Sequence, residues 1–285
     1  MKSKNEITLG LVQMSMTDGK QENLYKALKM ISDAAKKGAQ IICLPELFTT
    51  LYFPQKEKFN AKRVAESIPG TTTEALAKAA REHRVILVGG SICEISENKL
   101  FNSTVVFDRE GKIIGKYRKM HIPQDPNFYE QNYFEKGNLG YQVIDARIAK
   151  IGTLICYDQW YPEVARVNSL MGADIIFYPT AIGIVDGVEQ KEGNWQEAWE
   201  TVQRSHAIAN GVIVSAVNRV GKEGKMNFWG GSFVADQFGK ILARGDDKEK
   251  VIVVKCNLEL GKEVREGWRF FHNRRPDTYK KIVDK

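Results

Sequence analysis

Two stretches of this chain repeat each other. Gly38-Ala39-Gln40-Ile41-Ile42-Cys43-Leu44-Pro45-Glu46 resembles Gly172-Ala173-Asp174-Ile175-Ile176-Phe177-Tyr178-Pro179-Thr180. Later, Phe107-Asp108-Arg109-Glu110-Gly111-Lys112-Ile113-Ile114 resembles Ala235-Asp236-Gln237-Phe238-Gly239-Lys240-Ile241-Leu242, in the same order and at nearly the same offset. One match could arise by chance; two in register imply two similar halves, each a mixed sheet with helices on one side. Each sheet then keeps a bare apolar face, and the two faces bury each other. The predicted class is α/β: a four-layer α-β-β-α sandwich of two mixed sheets with helices outside. No Gly/Ser/Pro-rich linker parts the halves, so residues 1–285 read as one domain with a tail from about residue 258.

Local patterns fit this plan. Residues 7–13 alternate as a strand, and 23–37 carry Leu24, Leu28, Ile31 and Ala35 on one helical face, stopping at Gly38. Thr71-Thr72-Thr73-Glu74 reads as a capping box that opens a helix running to about His83. Further strands are expected at 40–44, 85–88, 101–107, 112–117, 141–145, 151–156, 174–178, 212–217, 232–235, 240–243 and 251–256, with helices at 162–171 and 195–210. Residues 118–140 are irregular, 183–193 read as a glycine-rich loop, and the tail is partly helical. Long irregular segments in compact domains often carry function.

Composition excludes several classes. There is no run of about 20 apolar residues, so no membrane-spanning helix is expected. The first six residues lack the apolar stretch of a secretory signal, which makes the cytoplasm the expected compartment. Cys43, Cys93, Cys156 and Cys256 are far apart, as are His83, His121, His206 and His272, so neither a disulfide framework nor metal-ligand spacing is present. The net charge of +7 comes from basic residues that alternate with acids except in the tail, where Trp268, Phe270 and Phe271 read as packing anchors rather than a base-stacking platform. Nucleic-acid binding is not expected.

The chemistry gathers at three positions. The apolar run 151–155 ends at Cys156, and a thiol where a strand gives way to a turn suits a nucleophile. By itself a cysteine reads more readily as core. Glu46 follows a buried strand through Pro45, at a strand end where α/β sheets gather their sites; a buried carboxylate there could take a thiol proton. A lysine nearby would favour the thiolate and then stabilise an oxyanion. Spacing alone does not choose between Lys116, Arg118 and Lys119. A Cys–His pair using His121 or His206 is the competing arrangement, though neither sits in a papain-like or caspase-like context.

Three motifs then decide the matter. Leu44-Pro45-Glu46-Leu47-Phe48, Tyr117-Arg118-Lys119-Met120-His121 and Ile155-Cys156-Tyr157-Asp158-Gln159-Trp160-Tyr161-Pro162-Glu163 resemble, in order, the glutamate, lysine and cysteine motifs of the nitrilase, or carbon–nitrogen hydrolase, superfamily. Members of that superfamily have the same sandwich fold. Within it, the chain is most similar to the branch that hydrolyses N-carbamoylputrescine in polyamine biosynthesis, releasing putrescine, CO2 and ammonia. His121-Ile122-Pro123-Gln124-Asp125-Pro126, Tyr178-Pro179-Thr180-Ala181-Ile182-Gly183, Gln203-Arg204-Ser205-His206, Val217-Asn218-Arg219-Val220-Gly221 and Phe228-Trp229-Gly230-Gly231-Ser232-Phe233 carry that likeness.

The resemblance implies an enzyme with Cys156 as nucleophile, Glu46 as general base and acid, and Lys119 with the Tyr157 N–H as oxyanion holders. Glu130 enters as a fourth polar member. Water is the only co-substrate, and no cofactor or metal is implied. The chain departs from the branch at Tyr157, where tryptophan is usual, and after Gly183, where an acid for the substrate's ammonium is expected one residue or so before Asp186. Asp186, with Glu189 behind it, is the candidate for that ammonium; Tyr52 is a candidate aromatic wall, and Thr180 a further substrate contact. A homo-oligomer, dimer or larger, is implied, with the helix after Cys156 and the tail at its interfaces. The alternatives are a carbamoyl-β-alanine or carbamoyl-D-amino-acid hydrolase and an ω-amidase, all of whose substrates call for an arginine clamp. A non-enzymatic binding member is a further alternative.

Overall fold

The structure is a computed structural model and describes residues 6–284. The first half contributes β1 (Glu6–Gln13), α1 (Lys20–Lys36), β2 (Ile41–Cys43), α2 (Thr71–His83), β3 (Ile86–Val88), β4 (Ile92–Ser96), β5 (Lys99–Phe107) and β6 (Ile113–Arg118). The second contributes β7 (Val143–Asp145), β8 (Lys150–Thr153), α3 (Pro162–Leu170), β9 (Ile175–Pro179), β10 (Gly183–Val185), α4 (Trp195–Asn210) and β11 (Ile213–Val217). It continues through β12 (Val220–Glu223), β13 (Met226–Trp229), β14 (Phe233–Ala235), β15 (Ile241–Arg244), β16 (Lys250–Asn257), α5 (Glu259–Trp268) and α6 (Lys280–Val283).

Two mixed sheets form. One runs β16-β1-β2-β3-β5-β4, with β6 on β5; the other runs β15-β14-β11-β9-β8-β7. Their facing surfaces share one core, in which Leu9, Leu11, Ile41, Cys43 and Val88 meet Ile151, Ile175, Phe177, Ile213 and Val217. Strand alternation sends the intervening residues outward. Ile42 and Leu87 pack with Ile31, Ala34, Leu76 and Ala80 of α1 and α2, while Ile176, Val214 and Ala216 pack with Val164, Ala165, Trp199 and Ala207 of α3 and α4. Each such aliphatic side chain contributes about 1.5–3 kcal/mol when fully buried. The four predicted layers are therefore present.

The sequence repeat is a structural repeat. The β5–β6 turn is closed by Asp108, whose Oδ1 accepts the N–H groups of Glu110 and Lys112; the β14–β15 turn is closed by Asp236, whose Oδ1 accepts those of Phe238 and Lys240. Both hairpins shift register just before their turns, at Val106/Phe107 and at Val234/Ala235. In both turns the glycine has positive φ, +80° at Gly111 and +73° at Gly239, and lies close to the preceding helix.

Several expectations need correction. The box at α2 is one residue off: Gly70 is the N-cap, its N–H donates to Thr73 Oγ1, and Glu66 rather than Glu74 accepts from Thr72. β8 stops at Thr153, so Cys156 lies beyond the strand and opens a 3-10 turn, Cys156–Trp160. The expected loop at 183–193 begins as β10, which pairs with β13; β12 joins them in a third, small sheet. β16 crosses back to pair antiparallel with β1 along its whole length.

Candidate active site

The two copies of the repeat end together. β2 leads to Glu46 and β9 leads to Thr180, and the Glu46 N–H donates to the Thr180 carbonyl at 3.4 Å. The site thus forms beyond the carboxyl ends of the central parallel strands of both sheets. Gly90 lets the chain after β3 pack against the segment that leads into Glu46: its φ is +60°, and a Cβ there would lie 2.3 Å from the Pro45 carbonyl oxygen.

Glu46, Lys119 and Glu130 are all fully buried. Lys119 Nζ donates to Glu46 Oε1 at 2.8 Å and to Glu130 Oε1 and Oε2 at 2.9 and 2.8 Å. Glu46 Oε1 also accepts from Asn102 Nδ2 at 2.8 Å, whereas Glu46 Oε2 is buried with no hydrogen-bond partner among the described residues. Tyr52 OH donates to Glu130 Oε1 at 2.9 Å. Burial favours a neutral Lys119, but the Glu130 and Glu46 carboxylates outweigh it and hold the ammonium above the usual lysine range. Burial raises Glu130 against the pull of Lys119.

Cys156 is buried and has φ +43°, a conformation that side chains other than glycine rarely adopt. Its Sγ lies 3.9 Å from the Ala181 carbonyl oxygen. Burial, reinforced by Glu46, pushes the thiol well above its ordinary value, with Lys119 opposing. Burial and Glu46 both disfavour the thiolate, so a base beside the sulfur would aid its ionisation. Asp158 holds the turn: its carboxylate accepts from Ile155 N at 2.9 Å, Tyr117 OH at 2.8 Å, His121 N at 3.1 Å and His121 Nδ1 at 2.8 Å.

A cavity of about 490 Å³ opens onto Cys156, Glu130 and Tyr52. Tyr157, Trp160, Phe128 and Trp195 supply aromatic walls, and Asp125 and Glu192 complete the acidic lining; no lysine or arginine is among the described lining residues. The buried Nε2 of Gln159, another lining residue, has no hydrogen-bond partner among the described residues.

The other predicted residues fall elsewhere. Asp186 is exposed and pairs with Lys222 at 2.5 Å, because β10 carries it to the rim of the small sheet; Glu189 is exposed too, and neither lines the cavity. Thr180 is fully buried behind the site, donating to Tyr178 O at 2.8 Å and Gln159 Oε1 at 3.3 Å. His121 is engaged by Asp158 and stacks on Tyr161, and His206 bonds the Gln159 carbonyl, so among the described residues neither histidine pairs with the thiol. Asn102, Asp125, Glu192 and the buried pair Arg219–Glu223 were not singled out from sequence. Asn194 was a usable signal for Glu192: as N-cap of α4, it puts that acid just before a helix start.

Comparison with known proteins agrees with this geometry. The carbon-nitrogen hydrolase family matches residues 8–266. The chain is 36% identical to the N-carbamoylputrescine amidase of Solanum lycopersicum, over 99% of this chain and 97% of that protein. It is also 36% identical to a citrullinase of Francisella tularensis, over 98% of this chain and 99% of that one. A carbon-nitrogen hydrolase from Helicobacter pylori superposes with a TM-score of 0.94 at 37% identity, covering 98% of this chain and 99% of the other.

Proposed function

This chain belongs to the carbon–nitrogen hydrolase family, and from that premise we propose that it hydrolyses the carbamoyl group of a carbamoyl-amine, with N-carbamoylputrescine as the first candidate. The observation that supports the chemistry is the unpartnered Glu46 Oε2, buried in the cluster that pairs Glu46 with Lys119 and acts on the Cys156 thiol. Cys156 Sγ attacks the carbamoyl carbon while its proton passes to Glu46. Lys119 and the Tyr157 N–H hold the resulting oxyanion. Collapse breaks the C–N bond, and Glu46 returns the proton to the leaving nitrogen. Glu46 then takes a proton from water, which attacks the thioester and frees Cys156. The carbamate released loses CO2, so the products are the amine, CO2 and ammonia.

The cavity lining supports a cationic far end. Asp125 and Glu192 are acids without a neighbouring basic residue in the lining, and Trp160 and Trp195 offer ring faces to an ammonium. A carboxylate-ended substrate, whether citrulline, carbamoyl-β-alanine or an ω-amide, would find no arginine there. The test is ammonia release from N-carbamoylputrescine, L-citrulline, N-carbamoyl-β-alanine and simple amides. The diamine derivative is expected to lead, with Glu192→Gln raising its KM by roughly 10-fold, the loss of one charge-assisted contact. No turnover of N-carbamoylputrescine would remove that substrate. A homo-oligomer is also proposed, from the exposed Val167, Leu170 and Met171 on and beside α3; sedimentation checks it. No helix among the described residues is long and apolar enough to cross a membrane.

A further inference from the structure

Glu46 is attached to a backbone held in an uncommon shape. Leu47, the next residue, has φ +45°. For a branched side chain such a turn persists only when its surroundings over-determine it. Ser91 Oγ accepts the Leu47 N–H at 2.9 Å. Arg219 meets the other side: Nη2 donates to the carbonyl oxygens of Glu46 at 2.6 Å and Leu47 at 3.0 Å, and Nη1 donates to that of Thr50 at 3.3 Å.

Arg219 is fully buried, and its charge is met by Glu223, with Nη1 at 2.8 and 3.0 Å from the two carboxylate oxygens. Glu223 Oε2 in turn accepts the Tyr52 N–H at 2.6 Å. Tyr52 OH reaches Glu130, and Glu130 grips Lys119. Neither Arg219 nor Glu223 lines the cavity. One ion pair, carried by and just before β12, therefore anchors the site along two routes: to Glu46 through its own carbonyl, and to Lys119 through Tyr52 and Glu130. A buried ion pair is weak support for stability, since its desolvation offsets its attraction. The contacts made here are directed at the reacting groups instead.

We propose that the Arg219–Glu223 pair is a positioning device for the general base, fixing Glu46 and, through Tyr52, the Glu130–Lys119 pair at the spacing that thiol activation needs. This rests on the reading of Glu46 as the base. The test needs no natural substrate: Cys156 is alkylated with iodoacetamide between pH 6 and pH 10 and followed by intact mass. Sulfur displaces iodide, and the thiol proton goes to Glu46 or, at high pH, to hydroxide. Arg219→Lys keeps a buried cation but loses the fork that spans two carbonyls. It is expected to slow alkylation at pH 7 by roughly 10- to 100-fold, the scale of an ångström-sized misplacement. The deficit should narrow as rising pH lets hydroxide take the thiol proton in place of Glu46, and Arg219→Lys should add less than about 2-fold when Glu46 is already Gln, because its effect runs through that residue.

A merely structural role predicts a loss that is equal at every pH and multiplies with Glu46→Gln, and that result overturns the proposal. If Arg219→Lys does not fold, Glu223→Gln is read the same way, with roughly a 3- to 10-fold loss expected at pH 7, since the shape is kept and only the charge goes. Unfolding of both variants would make the pair a stability element and also overturn it. A Glu46→Gln protein that alkylates like wild type sinks the base assignment. A slowed Glu46→Gln beside an unaffected Arg219→Lys sinks only the positioning role.

Discussion

Replacing Asp158 with asparagine perturbs the turn that presents Cys156 without touching the cavity. The carboxylate accepts four hydrogen bonds, two on each oxygen, from Ile155 N, Tyr117 OH, His121 N and His121 Nδ1. Asparagine keeps one acceptor oxygen and presents an NH2 where the other was. Turned toward His121, that NH2 can donate to Nδ1 if the ring changes tautomer, but the His121 N–H then faces another donor. One buried donor is left unsatisfied, and the remaining bonds lose their charge assistance. At about 1–3 kcal/mol for the orphaned donor and up to about 1 kcal/mol for each weakened bond, the cost is about 2–4 kcal/mol. In a chain this long that is a fall in Tm of roughly 3–7 °C, read by calorimetry. Because Asp158 also secures a turn in which Cys156 has φ +43°, kcat at 25 °C should fall by at least about 10-fold in the protein that remains folded. A Tm within a degree of wild type, or an unchanged kcat, would refute the role given to these four bonds.

Other substitutions probe separate parts of the argument. Glu46→Gln should lower kcat by about 100- to 10,000-fold with little change in Tm, the range for loss of a general acid–base group. Gly90→Ala should destabilise the protein by more than about 2 kcal/mol in urea titrations, since it places a Cβ at φ +60° against the Pro45 carbonyl. Asp186→Ala, removing an exposed acid outside the cavity, should leave KM for N-carbamoylputrescine within about 2-fold, against the roughly 10-fold expected of Glu192→Gln. Glu94 gives a pH prediction. Burial opposes its ionisation, but Arg118, Ser103 and Lys116 prevail and bring its pKa down to about 2. Its stabilisation is therefore full above the unfolded carboxylate value and is lost as pH falls from about 4.5 toward 2. Acid titration of Glu94→Gln should lack up to about 3 kcal/mol of that loss.

The sandwich could be read from sequence because its repeat is carried by short apolar strands and by two Asp-to-Gly turns, local signals that survive in any context. Glu46, Lys119 and Cys156 could be picked out as candidates because each sits in a motif. The supporting residues could not. Arg219 and Glu223, four apart, look like an ordinary solvated pair, and only the return of β12 over the Glu46 loop buries them. β12 and β13 are short strands that alternate in part with Lys222, Asn227 and glycine, so their apolar pattern is thin. The resemblance points to Asp186 because an acid is expected about one residue earlier in the loop after Gly183; the pairing of β10 with β13 makes the first residues of that loop a strand and carries the acid away from the cavity. Asp125 and Glu192 come from segments far apart in the chain, and nothing local brings them to one opening.

The pairing of β16 with β1 has a consequence for how the protein is made. β1 leaves the ribosome well before β16, yet the two are neighbours along all eight residues of β1. Until β16 emerges, the first sheet is one strand short and one side of β1 has no ladder partner. At typical elongation rates that interval is on the order of 10–50 s. Throughout it the nascent chain offers an open, apolar strand edge of the kind that recruits other chains. Native assembly is thus tied to the synthesis of β16: a chain released before that strand would carry Glu46 and Lys119 on an unfinished sheet, a natural client for chaperones.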